Sequence, residues 1–179
     1  MRTNLTGAKS PQEYCHHLSD CVAALKVVPQ IKTCIDVGSG SGLPGIPWAI
    51  LKPDTSFILV ESNKKKSGFL LRCKSVLDLK NVEVCSERFE NLITPPGFHT
   101  PIIVSRGTAA PKKLLKLILG SKVPFNQWLV FSTPSLHQEF LTEGENSDME
   151  ITPISYERNL EGKKEVGMLT KIKKLNLGQ

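Results

Sequence analysis

Hydrophobic and polar positions along this chain fall into two periods, and the two alternate nearly from end to end. Ile31 to Val37 (IKTCIDV) is a short run rich in β-branched residues, as expected of a buried strand. Ser56 to Glu61 (SFILVE), Ile102 to Ser105 (IIVS) and Trp128 to Ser132 (WLVFS) repeat the pattern, and Val82 to Val84 is a shorter instance. Between them lie helical stretches: Ile46 to Leu51, Lys64 to Leu77, Lys112 to Leu119 and Ser135 to Leu141. In the second of these, Phe69, Leu70, Cys73 and Leu77 are spaced for one buried face. Ahead of the first strand, Ser10-Pro11-Gln12-Glu13 reads as a helix start, with Ser10 as N-cap, Pro11 in the first turn and Glu13 closing a capping box. That helix is predicted to run to about Lys26, with Tyr14, Leu18, Cys21, Val22 and Leu25 on its inner stripe, and Pro29 stops it.

Strands alternating with helices predict an α/β fold with a Rossmann-like, mostly parallel sheet covered on both faces. Two further strand candidates, Ile151 to Glu157 and Glu165 to Lys173, are joined only by Glu161-Gly162-Lys163. They predict a hairpin, and so an antiparallel strand near the C-terminus. Thr142 to Asp148 reads as a polar surface loop. No repeat or linker divides the chain, so residues 1–179 are expected to form one domain, with 1–29 as an N-terminal helical cover.

Composition narrows the class. No run approaches the roughly 20 apolar residues of a membrane span, and MRTNLTGAKSPQEY lacks the apolar core of a signal peptide. A cytoplasmic protein with no membrane partner is expected. Five cysteines without a C-x-x-C pair argue against a disulfide framework or a zinc site, and all five are read as structural, with no metal. A net charge of +6 favours polyanions without identifying one.

The chemistry concentrates in Asp36-Val37-Gly38-Ser39-Gly40-Ser41-Gly42-Leu43-Pro44-Gly45. A strand runs into three alternate glycines and a helix follows, which lets backbone approach a ligand where a Cβ would clash. The third glycine comes one residue too early for the dinucleotide fingerprint, and no P-loop lysine follows. Glu61 ends the next strand, where a carboxylate can accept hydrogen bonds from both ribose hydroxyls of an adenosyl group. Gly38, Gly40, Gly42 and Glu61 are therefore candidate cofactor ligands. The plainer reading of the glycines is an ordinary strand-to-helix turn. A strand, D-x-G-x-G-x-G and a following acid together form the pattern of methyltransferases.

The longer string Asp36 to Ile50, DVGSGSGLPGIPWAI, resembles the RsmG (GidB) family of bacterial small-subunit rRNA methyltransferases. Asn4-Leu5-Thr6 with His17-x-x-Asp20, Lys65-Lys66 with Phe69-Leu70, Leu79-x-Asn81-Val82, Arg88-Phe89-Glu90 and Ile103-Val104-Ser105-Arg106 are similar to further segments of that family. The resemblance implies a class I fold that binds S-adenosylmethionine (SAM) and methylates N7 of a guanine in the decoding region of 16S rRNA. It implies 16S rRNA or the small ribosomal subunit as partner, and a monomer is expected. It places Gly38 and Leu43 at the cofactor, Glu61 at its ribose, and Phe89 and Glu90 at its adenine side. Arg106 falls where an arginine faces cofactor and substrate, and is the candidate catalytic residue. His17 and Asp20, at i and i+3, share a helix face and are expected to buttress the cleft. Lys64-Lys65-Lys66 is either an RNA contact or a solvated helix start.

Several positions depart from the family pattern. The chain begins almost at Asn4-Leu5-Thr6, so the family's helical N-terminal region is expected to be missing. Ser132-Thr133 stands where the family has a Lys-Gly pair, Gly107 follows Arg106 where it has alanine, and Pro101 replaces an aspartate. These lie on the expected substrate side. The alternative is therefore a cofactor-binding, RNA-associated protein with little methyl transfer; a nucleotide-linked oxidoreductase is disfavoured by the early third glycine.

Overall fold

The computed structural model describes residues 10–94 and 101–175, so Asn4-Leu5-Thr6 lies outside the described residues. The order is α1 (Pro11–Ala24), β1 (Thr33–Val37), α2 (Gly45–Leu51), β2 (Ser56–Val60), α3 (Lys64–Val76), β3 (Val82–Cys85), β4 (Ile102–Ser105), α4 (Pro111–Leu119), β5 (Gln127–Ser132), α5 (Pro134–Gly144), β6 (Met149–Leu160) and β7 (Lys163–Lys174). Short 3₁₀ turns at Leu25–Val27 and Phe89–Asn91 follow α1 and β3. One sheet carries the strands in the order β3-β2-β1-β4-β5-β7-β6. β1 to β5 are parallel, whereas β7 pairs antiparallel with both β5 and β6.

The local chemistry accounts for these elements. All five residues of β1 are buried, as a central parallel strand with helices on both faces requires. Ser10 caps α1, its Oγ accepting from the Glu13 N–H at 3.1 Å. Asn63 caps α3 by accepting from the N–H groups of Lys65 and Lys66, and Thr133 caps α5. Glu161 and Gly162 both take positive φ, 52° and 79°, to close the β6–β7 hairpin. Helix α5 extends to Gly144, so the polar stretch predicted as loop from Thr142 begins three residues later, at Glu145.

Two apolar cores fill the two sides of the sheet, one around Trp48, Phe57 and Leu129, the other around Trp128, Ile103 and Ile118. Helix α1 closes the first, and the Trp48 indole N–H donates to the Cys21 carbonyl at 2.7 Å. The inner stripe of α1 differs from the expected one. Leu18 and Val22 are exposed, while Asp20, Cys21, Ala23 and Ala24 are buried. A charged residue occupies an inner position because it has partners there, which a hydrophobic count cannot register. Leu77 also lies exposed, one residue past the end of α3. All five cysteines are free; Cys21 and Cys34 are core residues and Cys15 is exposed. Among the described residues no helix is long and apolar enough to cross a membrane, and no three metal-ligating side chains converge.

Trp128 is fully buried, meets the rings of Phe89 and Phe125 edge-on at 5.3 and 5.9 Å, and donates to Ser105 Oγ at 2.7 Å. Replacing it with alanine should cost about 3–5 kcal/mol, read as a lowered urea midpoint with an unchanged slope; a loss under 1 kcal/mol would show that this layer repacks freely.

Candidate functional site

At the C-terminal ends of β1, β2 and β4 the chain builds a cleft around the turn from β1 into α2. Gly38, Gly40 and Gly42 have φ of 71°, 55° and 86°, a left-handed region that residues with a Cβ avoid. Gly38 and Ser39 both donate to the Val60 carbonyl, tying the turn to β2. Gly45, at the head of α2, has no room for a side chain: a Cβ there would lie 2.7 Å from Asp36 Oδ2. The Gly45 N–H donates to that same oxygen at 3.0 Å, so Asp36 anchors the start of α2 from inside the sheet.

The second anchor is Glu61, just past β2 and 8% exposed. Its Oε2 accepts from the Gly40 N–H at 3.1 Å and its Oε1 from the Asn63 N–H at 2.8 Å. Both bonds hold the carboxylate at the cleft surface while leaving lone pairs for further donors.

Two cavities adjoin this turn and share Gly38, Lys66 and Gly107 in their walls. The smaller, about 490 Å³, includes Glu61, Phe89, Glu90 and Thr108. The larger, about 690 Å³, lies between the turn, α1 and β6, and includes His17, Asp20, Gly40, Leu43, Arg106 and Ser132. Both sizes are in the range of small-molecule sites. The structure thus gathers Gly38, Gly40, Leu43, Glu61, Phe89, Glu90 and Arg106 into the walls of these two adjoining cavities. Gly42 lies apart from both cavities. A Cβ there would press on Ile46 and Leu70. Phe89 is 5% exposed and packs on Trp128, making it floor rather than an open stacking plate.

Arg106 follows β4 and lines the larger cavity. Its terminal NH2 lies 2.8 Å from His17 Nδ1 and 3.6 Å from Asp20 Oδ2, and its guanidinium carbon sits 5.6 Å from the centre of the Phe131 ring. Asp20 Oδ1 accepts from the Tyr156 hydroxyl and from Arg158 NH1, each at 2.7 Å, and Arg158 continues to Glu165 at 3.0 Å. The expected pairing of His17 with Asp20 on one face is therefore present. Tyr156 and Arg158 had no signal of their own, because more than 130 residues separate them from Asp20. Ser132 Oγ accepts from Thr170, whose hydroxyl also meets His137 Nδ1 at 2.9 Å.

Burial sets the proton affinities. Asp36 is wholly buried, which pushes its carboxyl up to about 7; the Gly45 N–H opposes this and the nearby Glu61 adds to it. Asp36 Oδ1 has no hydrogen-bond partner among the described residues. Burial lowers the His17 affinity, and the Arg106 charge lowers it further.

The family model described as rRNA small subunit methyltransferase G (GidB) matches residues 1–165. Ribosomal RNA small subunit methyltransferase G of Helicobacter pylori (strain HPAG1) is 41% identical over 113 residues, which cover 63% of this chain and 62% of that protein. The chain thus spans less than two thirds of that relative's length. The protein of the same description from Wolinella succinogenes is 34% identical over 158 residues, covering 88% of this chain and 78% of its own. A SAM-dependent methyltransferase structure from Aquifex aeolicus matches with a TM-score of 0.65 at 16% identity, over 92% of this chain and 94% of that one. The O-methyltransferase TomG of Streptomyces achromogenes, solved in complex with SAM, matches at 0.60 and 15% identity, over 96% and 82%. At such identities these structures show the fold, the class I methyltransferase architecture expected from the sequence.

Asp36 yields a signed expectation. A carboxyl with a raised native affinity binds its proton more tightly folded than unfolded, so this group erodes stability as pH climbs from 3.8 toward 7. Asp36→Asn keeps an acceptor for the Gly45 N–H and removes the ionisation. Its stability relative to wild type should rise between pH 4 and pH 8, by at most about 4 kcal/mol. A difference independent of pH in urea titrations would show that Asp36 ionises normally.

Proposed function

The chain belongs to the GidB family of rRNA small subunit methyltransferases G, and from that premise we propose that it transfers the methyl group of SAM to N7 of a guanine in the decoding region of 16S rRNA. The observation that carries this is the joined pair of cavities, a nucleoside-sized one over Glu61 and a charged one under Arg106, with the glycine turn between them. The residues fit the cofactor. Glu61 is positioned to accept from ribose hydroxyls, the 3₁₀ turn with Phe89 and Glu90 bounds the adenine side, and the turn at Gly38, Gly40 and Leu43 passes beside the remainder. The reading places residues 1–179 in one domain that acts in the cytoplasm on naked 16S rRNA or the small subunit.

When bound, SAM supplies an already activated sulfonium methyl. Guanine N7 carries a free lone pair, so the protein has no proton to remove and its work is alignment. The cavity is built accordingly. Asp20 is committed to Tyr156, Arg158 and Arg106 rather than held ready as a base. Arg106 is assigned to a phosphate or to guanine O6; a contact to N7 itself would block the nucleophile. One observation favours the second reading, a cofactor-binding, RNA-associated protein with little turnover. Ser132 stands on the cavity wall, bonded to Thr170, where the family pattern has a lysine.

The deciding measurement is transfer of labelled methyl from SAM to small subunits and naked 16S rRNA lacking the modification. Label on a single guanine N7 is expected; cofactor binding without transfer would support the second reading. Arg106→Ala should lower kcat/KM by about 10²-fold while the urea midpoint stays near wild type. Wild-type turnover would remove the arginine from the mechanism. Gly40→Asp tolerates the 55° φ, which aspartate adopts more readily than most residues. Yet it sets a second carboxylate beside Glu61, so calorimetry should show SAM binding lost from a folded chain, whereas unchanged affinity would detach the glycine turn from the site.

A further inference from the structure

We propose that His17 and Asp20 are positioning residues, which together hold the Arg106 guanidinium at the wall of the larger cavity, and that His17 does so only while its ring is neutral. The inference rests on the reading that Arg106 serves the bound cofactor or substrate.

The hydrogen-bond chemistry dictates the protonation. Every nitrogen of a guanidinium donates and none accepts. His17 Nδ1, 2.8 Å from Arg106 NH2, must therefore present a lone pair, with the ring proton on Nε2. Protonating Nδ1 would set N–H against N–H and two positive charges in contact. Asp20 Oδ2 approaches the same NH2 from one turn further along α1, and the Phe131 ring covers a face of the guanidinium. Asp20 is in turn fixed by Tyr156 and Arg158 of β6, so α1, β6 and the segment after β4 meet at one carboxylate. Both polar contacts of Arg106 fall on one terminal nitrogen. Its other donors are uncommitted among the described residues, on a side chain that lines the cavity.

The charges around His17 are mixed. Glu13, His16 and Asp20 lie beside it on α1, and Arg106 faces it from the segment after β4. Lys66 of α3 and Arg158 of β6 line the same cavity. Glu161 of the hairpin turn bonds His16, and Glu165 of β7 pairs with Arg158. Asp20 and Glu13 favour the protonated ring, while burial and Arg106 disfavour it. Neutral at pH 7, the ring acts as a gate on the guanidinium's direction: its protonation releases Arg106 without unfolding the cluster that Asp20 holds.

Two measurements on the full chain test this. In nitrogen-resolved NMR, His17 should show the Nε2–H tautomer and titrate below the ordinary 6.5. Its midpoint should climb in Arg106→Ala and sink further in Asp20→Asn, which deletes the opposing charge. An Nδ1–H tautomer, or a midpoint indifferent to Arg106, overturns the pairing. In methyl-transfer assays on small subunits, wild-type kcat/KM should weaken as the pH falls below 6.5. His17→Ala should lose about tenfold in kcat/KM at pH 7, the scale of one charge-assisted hydrogen bond. His17→Asn, whose Oδ1 replaces Nδ1 as acceptor, should recover most of that loss and abolish the acid weakening. Wild-type kcat/KM in His17→Ala, or an acid limb retained by His17→Asn, overturns the positioning role. If the wild type transfers no methyl while His17 still responds to Arg106, the pair stands and the methyltransferase reading fails.

Discussion

The structure depends on how the chain leaves β1. Between Val37 and Gly45 it must reverse direction at the end of a fully buried central strand. Two carboxylates do that work from opposite sides: Asp36 accepts from the Gly45 N–H and Glu61 from the Gly40 N–H. Each bond joins a strand to the turn rather than turn to turn, so the glycine segment inherits the rigidity of the sheet. A backbone held this way presents its N–H groups and its missing Cβ atoms to the cleft at fixed positions, the condition for binding a ligand without reorganisation. The cost is local. Among the described residues Asp36 Oδ1 has no partner, and burial raises the carboxyl's proton affinity.

The far wall of the cleft is built on a different principle. Helix α1 and strand β6 are distant in sequence and share no backbone ladder, so side chains join them. Asp20 is the junction, and its burial is tolerable because Tyr156, Arg158 and Arg106 supply the donors that water would otherwise provide. The arrangement is unforgiving in the way buried ionic groups are: removing Arg158, the cation bonded to Asp20 at 2.7 Å, leaves the carboxylate poorly compensated, whereas the whole cluster is near neutral. Such a wall contributes modestly to stability and strongly to geometry, which suits the flank of a site that must aim one guanidinium.

Much of this was legible in the sequence because the elements are locally consistent. The β-branched runs, the glycine spacing, Ser10 before Pro11 and the Glu161-Gly162 turn each specify a conformation through their own chemistry, and the parallel sheet with its antiparallel end followed. The meeting of Gly38, Gly40 and Glu61 was legible for the same reason: their spacing sets them just past the ends of two adjacent parallel strands. What spacing could not encode is pairing across the fold. Gly42 lines neither cavity, and a Cβ there would meet Ile46 and Leu70, a neighbourhood that spacing does not reveal. Leu18 and Val22 looked like core and are exposed, since Asp20 claims the inner face through partners on β6. Tyr156 and Arg158 read as unremarkable strand residues until the hairpin folds back over α1.

The two halves of the cleft also differ in what they ask of a ligand, and that difference bears on mechanism. Around Glu61 the protein offers acceptors fixed by backbone, which select hydroxyl donors and give orientation. Around Arg106 it offers a cation whose direction is set by a neutral imidazole and a shared carboxylate. The buried carboxylate of the second half, Asp20, is committed to its partners and not held as a general base. A reaction at an atom with its own lone pair needs none. The distribution of polar groups therefore agrees with chemistry driven by approach and alignment, and it locates the sensitivity of the site in the direction of one arginine rather than in a proton transfer.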